Sequence, residues 1–331
     1  MVTKYGVISD VHGDPRIVGQ AIEVLEREGA EKLLVNGDIG NQQGSLKESQ
    51  SYVAFVLDSI GKSGLEAFVQ PGSHETLLAF GPVIDSISED YSNLIDVTKN
   101  QRIEQVGYDL VFLPGSDFSC GGEYQIGNDS GLPSRNYLQL NDSPSLTMFD
   151  TLEEGMDSVV GMRRLDPNMK IRMFHYSNMQ DLKKLVTNPE KTVMVCHVPR
   201  KFDNLESAVD MAEFGEVTED FELQGDIVRK GSVYPLPVAK QVVQAGYPVE
   251  IMRANRGNED LTGLYNELGI TKAVSGHFHE SGHRACDGEG NHVEEGKMVN
   301  KLFWNSGHLD VGQTGILSVD GEKVSYRNIQ L

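Results

Sequence analysis

The sequence predicts an α/β fold, and three features of its 331 residues carry that prediction. Short apolar runs alternate with amphipathic, helix-length segments through the first third of the chain. Acidic and histidine-bearing signatures directly follow several of those runs. Strand-like segments then close the sequence. Buried apolar strands alternating with helices form sheets whose functional residues gather in loops at the strands' C-terminal ends.

Element by element, "KYGVIS" (4–9) reads as a buried strand. "PRIVGQAIEVLEREG" (15–29) follows as a helix, with Pro15 at its start and Ile17, Val18, Ala21, Ile22 and Leu25 on one face. "KLLVN" (32–36) is the next strand, and a helix through "YVAFVLDSIG" leads to the strand "EAFVQ" (66–70). "RIEQVGYDLVFLPG" (102–115) reads as two strands joined by a glycine turn. Residues 116–170 are polar with few periodic segments, which predicts a long functional loop, and 202–234 form a second, acidic excursion. Between and after them "TVMVCH", "PVEIMRAN", "LTGLYNELG" and "KAVSGH" restore the α/β pattern, and "KLFWNSG", "TGILSVDG" and "KVSYRNIQL" end the chain as strands. The expectation is a single domain over 1–331, with insertions at about 116–170 and 202–234 shaping one end.

Composition narrows the function classes. A formal charge of −20 argues against an extended nucleic-acid surface, which needs a basic stripe to displace counterions. No apolar run approaches the roughly 20 residues that span a bilayer, and "MVTKYGVISD" lacks the apolar core of a signal peptide, so a cytoplasmic protein without membrane contact is expected. Cys120, Cys196 and Cys286 have no C-x-x-C spacing, which predicts reduced thiols and no thiolate metal site.

The chemistry lies in five short signatures: "DVH" (Asp10, His12), "GD" (Asp38), "GSHE" (Ser73, His74, Glu75), "CH" (His197) and "GHFH" (His277, His279). All sit at the ends of strand-like runs, where residues distant in sequence converge. Alternate residues at a strand end, as in Asp10-x-His12 and His277-x-His279, point the same way and can chelate. Carboxylate and imidazole without thiolate suit Mn, Fe, Co, Ni or Zn better than Ca or Mg. Each signature alone has an ordinary reading as a turn or a core histidine; their joint occurrence in one strand-end context selects the metal site. "GNED" (257–260) reads as a turn and helix start. His283, His292 and His308 read as supporting residues, with His308 the best candidate among them.

With serine in place of one asparagine, these signatures resemble the order D-x-H, G-D, G-N-H-[ED], H, G-H-x-H of the calcineurin-like metallophosphoesterase superfamily, from Asp10 to His279. The resemblance implies a four-layer α/β/β/α sandwich with a dinuclear centre of two divalent transition-metal ions. By position, Asp10, His12 and His279 would hold one metal, Asp38 would bridge, and His197, His277 and residue 73 would hold the other. His74 would stabilise or protonate the leaving group, and a hydroxide bridging the metals would attack phosphorus in line. The implied partner is a small phosphorylated substrate: a phosphomonoester, a phosphodiester or a nucleotide.

Two departures stand out. The superfamily's asparagine ligand is Ser73 here, whose shorter hydroxyl is expected to be a weakened ligand acting through water. Asn41 and Gln42 replace the acidic residue and arginine of the protein-phosphatase branch, which argues against a phosphoprotein substrate. Asn41 and Arg200 are the expected substrate contacts. The competing readings are a binding or scaffold protein with an impaired metal centre, motivated by Ser73 and Asn41, and a nuclease, disfavoured by the acidic balance.

Overall fold

The computed structural model describes residues 2–41, 44–117, 122–140, 145–203, 206–223 and 225–331. Gln42 and Cys120 lie outside the described residues. The architecture is mixed α/β, and two six-stranded sheets dominate it.

The first sheet runs in the order Lys323–Gln330, Gln313–Asp320, Thr3–Ile8, Lys32–Asn36, Glu66–Gln70, Leu94–Asp96. Its last four strands are mutually parallel, as the strand–helix alternation requires. The second sheet runs Ala285–Cys286, Leu302–Asn305, Lys272–Ser275, Thr192–Cys196, Tyr108–Leu113, Arg102–Gln105, with its four central strands parallel.

Strand periodicity of two explains how the sheets bury both faces. Val7, Leu34 and Phe68 of the first sheet share one cluster with Leu110, Phe112, Val193 and Val195 of the second. Their neighbours Ile8, Leu33, Val35 and Val69 point the other way, into a cluster with Val18, Ile22, Leu25, Val56, Leu57 and Phe80 of the flanking helices. Val111, Leu113 and Met194 turn from the second sheet towards Leu261, Leu264 and Tyr265 of the helix Glu259–Leu268. The hydroxyls of Tyr5 and Tyr108, one from each sheet, meet at 2.6 Å inside the shared core. There each satisfies the other's otherwise unpaired group.

The helices begin where short polar side chains cap them. Ser45 accepts from the Glu48 amide ahead of Leu46–Lys62, and Thr76 from the Ala79 amide ahead of Leu77–Asp90. Asn258 accepts from the Leu261 amide, so "GNED" is the helix start that its composition implies.

The expected loop at 116–170 is corrected. This region builds a five-stranded sheet, in the order Leu146–Phe149, Arg135–Leu140, Ile171–Asn178, Tyr124–Gly127, Ser116–Asp117, and the helix Leu152–Leu165. The strands are short and pair across long sequence separations: Tyr124 aligns with His175. The second excursion likewise contains structure. Val233–Pro235, Met211–Val217 and Val249–Asn255 form a three-stranded sheet, on which the helix Leu236–Gln244 packs through Ala239 against Val217 and Val249. Among the described residues, no helix is long and apolar enough to cross a membrane.

Candidate metal centre

The C-terminal ends of parallel strands from both sheets meet at one place. Asp10 and Asp38 stand two residues beyond their strands, His197 one beyond, and His277 two beyond. Cross-links between sheets fix the junction: Gln70 Nε2 donates to the Val195 carbonyl at 3.3 Å, and the His277 amide donates to Asp10 Oδ2 at 3.2 Å.

Three of these turns use left-handed backbone at non-glycine residues: Asp10 (φ 57°), Asp38 (φ 53°) and His277 (φ 67°). Asp and His tolerate this region better than most residues, yet each such turn still costs free energy. It aims the side chain back across the strand end. Two glycines permit the crowding. A Cβ at Gly276 would lie 2.5 Å from Asp10 Oδ2, and one at Gly72 would lie 2.6 Å from the Asp38 amide nitrogen.

At the centre, Asp38 is buried and held from several sides. Its Oδ1 accepts from the Ser73 and His74 amides, the latter at 2.9 Å, and its Oδ2 accepts from Ser73 Oγ at 2.9 Å. Ser73 therefore turns its hydroxyl onto the Asp38 carboxylate. Glu75, also buried, ties the two loops together, accepting from the Gly40 amide at 2.9 Å and the Gly72 amide at 2.7 Å.

The histidines surround this carboxylate. His197 is buried; its Nδ1 lies 2.8 Å from the Asn36 carbonyl, which fixes the proton there. Its Nε2 is 3.0 Å from Asp38 Oδ2 and 3.9 Å from Asp10 Oδ1, yet has no hydrogen-bond partner. A buried imidazole nitrogen facing two carboxylates calls for a proton or a metal ion between them. His279 Nε2 lies 3.2 Å from Asp10 Oδ1 and 3.4 Å from His12 Nε2. His74 stacks on His12 with ring centroids 4.3 Å apart, and its side chain is 43% exposed, at the solvent side of the cluster.

Among the described residues, three groups have ligand atoms within 4.8 Å of one another: His12, His279 and His308; His12, Asp38 and His74; and Asp38, His197 and His277. Charge balance points the same way. Burial pushes the Asp38 carboxyl up, but the neighbouring His197 outweighs it and holds Asp38 well below the usual range. Burial opposes charge on His197, yet Asp38 and Asp10 drive its pKa up to about 10. Burial and His197 together push His277 down to about 4. Two buried carboxylates thus demand positive charge beside them, which a proton or a metal ion can supply.

The structure brings Asp10, His12, Asp38, Ser73, His74, His197, His277 and His279 together. Asn41 joins their edge, its amide donating to the His12 carbonyl. Arg200 is placed otherwise: its guanidinium stacks over Phe202 at 4.7 Å and Phe303 at 5.0 Å, with its Nε buried and unpartnered. Packed against the core in this way, it makes no side-chain hydrogen bond or ion pair with the cluster among the described residues. Sequence reasoning missed Asp310, which accepts from the amides of His12, Gly13 and Asp14. No sequence signal marks it beyond its place two residues after His308. The first insertion also reaches the site: a Cβ on Gly122 would lie 2.5 Å from the Ser73 carbonyl, and Glu123 accepts from the Leu77 amide at 2.8 Å.

No protein-family model matches the sequence, and no curated protein matches it. One solved structure is similar over 99% of both chains, at 12% identity and a TM-score of 0.52. The crystal structure of TT1561 from Thermus thermophilus is similar over 99% of both chains, at 11% identity and a TM-score of 0.50. A dimetal phosphatase from Danio rerio aligns over 99% of this chain and 98% of its own, at 11% identity and a TM-score of 0.45. Identities this low speak to the fold alone, and the third likeness is too loose to carry an argument.

Proposed function

We propose that this chain is a metal-dependent phosphoesterase acting on a small phosphomonoester, phosphodiester or nucleotide, in the manner of the calcineurin-like metallophosphoesterases. The observation that carries the reading is the buried His197 Nε2, aimed between Asp38 Oδ2 at 3.0 Å and Asp10 Oδ1 at 3.9 Å, with its Nδ1 committed to Asn36. In this reading the two six-stranded sheets and their helices are the four-layer sandwich of that superfamily. The chain is one domain, cytoplasmic, and the insertions at 116–170 and 202–234 frame its substrate.

Asp10, His12 and His279 would hold one divalent ion and His197 and His277 a second, with Asp38 between them. Nitrogen and carboxylate donors suit Mn, Fe, Co, Ni or Zn. Such ions supply Lewis-acid polarisation of phosphoryl oxygens and a lowered pKa for bound water. The chain's own groups do the rest. Ser73 and the amides of residues 73 and 74 fix the Asp38 carboxylate, so no reorganisation is needed as charge develops. His74, at the exposed side, would donate to a leaving oxygen. Glu75 holds the 37–40 and 72–75 loops in register. Asn41 steadies the backbone at His12.

The test is turnover. Metal-stripped protein, resupplied in turn with Mn, Ni, Co and Zn, is expected to hydrolyse an aryl phosphate or aryl phosphodiester, and Asp38→Ala to lose that turnover. Absence of turnover with every metal would sink the enzyme reading. The second reading, a binding protein on the same fold, is favoured by the Ser73 hydroxyl lying on Asp38 instead of standing free as a ligand. Metal binding without hydrolysis of any ester in such a panel would select it.

A further inference from the structure

The loop that carries His12 is gripped from the far end of the chain. Asp310 lies in the short turn Leu309–Val311, which precedes the strand Gln313–Asp320. Its Oδ2 accepts from the His12 amide at 3.1 Å and the Gly13 amide at 2.8 Å, and its Oδ1 from the Asp14 amide at 3.2 Å. Three consecutive amides turned to one side make an anion-binding concavity, and here a carboxylate of the chain itself fills it. Flanking backbone bonds set the turn against the strand end: the Leu309 amide donates to the Ser9 carbonyl at 3.1 Å. Gly13 fits the arrangement, because a Cβ there would press to 3.0 Å from Asp310 Oδ2.

The same carboxylate reaches two rings. His12 Nδ1 lies 3.3 Å from Asp310 Oδ2, and His308 Nε2 lies 3.4 Å from the same oxygen. His308 in turn stacks flat on His279, with centroids 3.6 Å apart and planes within 12°. That face contact supports the His279 ring by packing.

A neutral imidazole carries its proton on one nitrogen and a lone pair on the other, and the partner of the first decides which. We propose that Asp310 is a positioning residue for His12, holding the proton on Nδ1 so that the Nε2 lone pair faces Asp10 and His279. His12 Nε2 stands 3.4 Å from His279 Nε2, which is the side where an ion would lie. The consequence for metal affinity rests on the function proposed above; the tautomer does not. Partners of this kind contribute roughly 10- to 100-fold to metal affinity.

The experiment has two arms on the full chain. Long-range proton–nitrogen correlation spectra of uniformly labelled, metal-free protein read the His12 tautomer directly, at about pH 8, above the ordinary imidazole range. Wild type is expected to carry the proton on Nδ1; a proton on Nε2 would overturn the proposal whatever the metal chemistry. Calorimetric titration with Co2+ then compares wild type with Asp310→Asn, which keeps one oxygen for the His12 and Gly13 amides, gives up the acceptor of the Asp14 amide and lacks the charge that holds the Nδ1 proton. At least a tenfold weaker Co2+ affinity is expected in the variant, with unfolding midpoints close to wild type. Equal affinity in the two proteins would remove the positioning role. If wild type itself bound no Co2+, the proposed function would fall while the tautomer still decided the claim about Asp310.

Discussion

Gly72→Ala is the substitution that most sharply tests whether the loop at 72–75 is fixed against Asp38. A methyl group at Gly72 would press on Asp38 Oδ1, stand 2.6 Å from the Asp38 amide nitrogen, and stand 3.0 Å from His197 Cδ2. Two of these neighbours are a backbone atom and a buried ring, so neither yields cheaply. Overpacking a tight interior costs about 1–3 kcal/mol. Moving the loop to relieve it also loosens the Ser73 and His74 amides from the Asp38 carboxylate. A hydrogen bond to a charged group is worth about 1.5–3 kcal/mol. Losing one of the two bonds along with the packing strain gives about 3–5 kcal/mol, a large share of the roughly 5–15 kcal/mol that holds a domain together. Urea unfolding measures it, with the denaturant slope expected unchanged and the midpoint lowered. A change below about 0.5 kcal/mol, within the range of ordinary surface substitutions, together with wild-type metal binding, would refute the picture of a crowded, preorganised loop.

Other consequences follow from particular residues. Gly161, mid-helix in Leu152–Leu165, has no atom within 4 Å of the place a Cβ would occupy, so Gly161→Ala should stabilise the fold by about 0.5–1 kcal/mol in the same urea assay. Ser73→Ala removes the hydroxyl on Asp38 and should slow metal-dependent hydrolysis about tenfold or more at saturating substrate, while Ser73→Asn should raise metal occupancy, read by elemental analysis. Burial pushes the His175 pKa down to about 4, so below the ordinary imidazole value the unfolded chain takes up a proton that the folded protein refuses. Stability should therefore be flat in this respect above about pH 6.5 and fall by up to about 3 kcal/mol towards pH 4. His175→Gln should flatten that window in pH-dependent unfolding; an unchanged slope would place the acid sensitivity elsewhere.

Much of the fold was legible because burial on two faces writes itself as continuous apolar runs. "KLLVN", "EAFVQ" and "TVMVC" appear in the structure as strands, at the residues their composition marks. The site was legible for a related reason: parallel strands place their C-terminal ends together, so signatures at strand ends converge without further information. The five-stranded sheet between 116 and 178 was not legible. Its strands are short, Arg135–Leu140 alternates only partly, and Tyr124–Gly127 finds one of its partners just over fifty residues away. One local signal was present, since Thr151 and Glu154 form a helix-start pair ahead of Leu152–Leu165. Asp310 and the inward turn of Arg200 depend on tertiary neighbours, the His12 loop and the rings of Phe202 and Phe303, which no local pattern encodes.

Asp38, with the histidines around it, is proposed to hold two metal ions. Metal stoichiometry tests it most directly: chelator-stripped protein titrated with Mn2+ or Co2+ in a calorimeter, with elemental analysis of the loaded product. Two ions per chain, falling to one or none in Asp38→Ala with the fold intact, is the predicted result. No metal bound by wild type at millimolar ion would contradict the account.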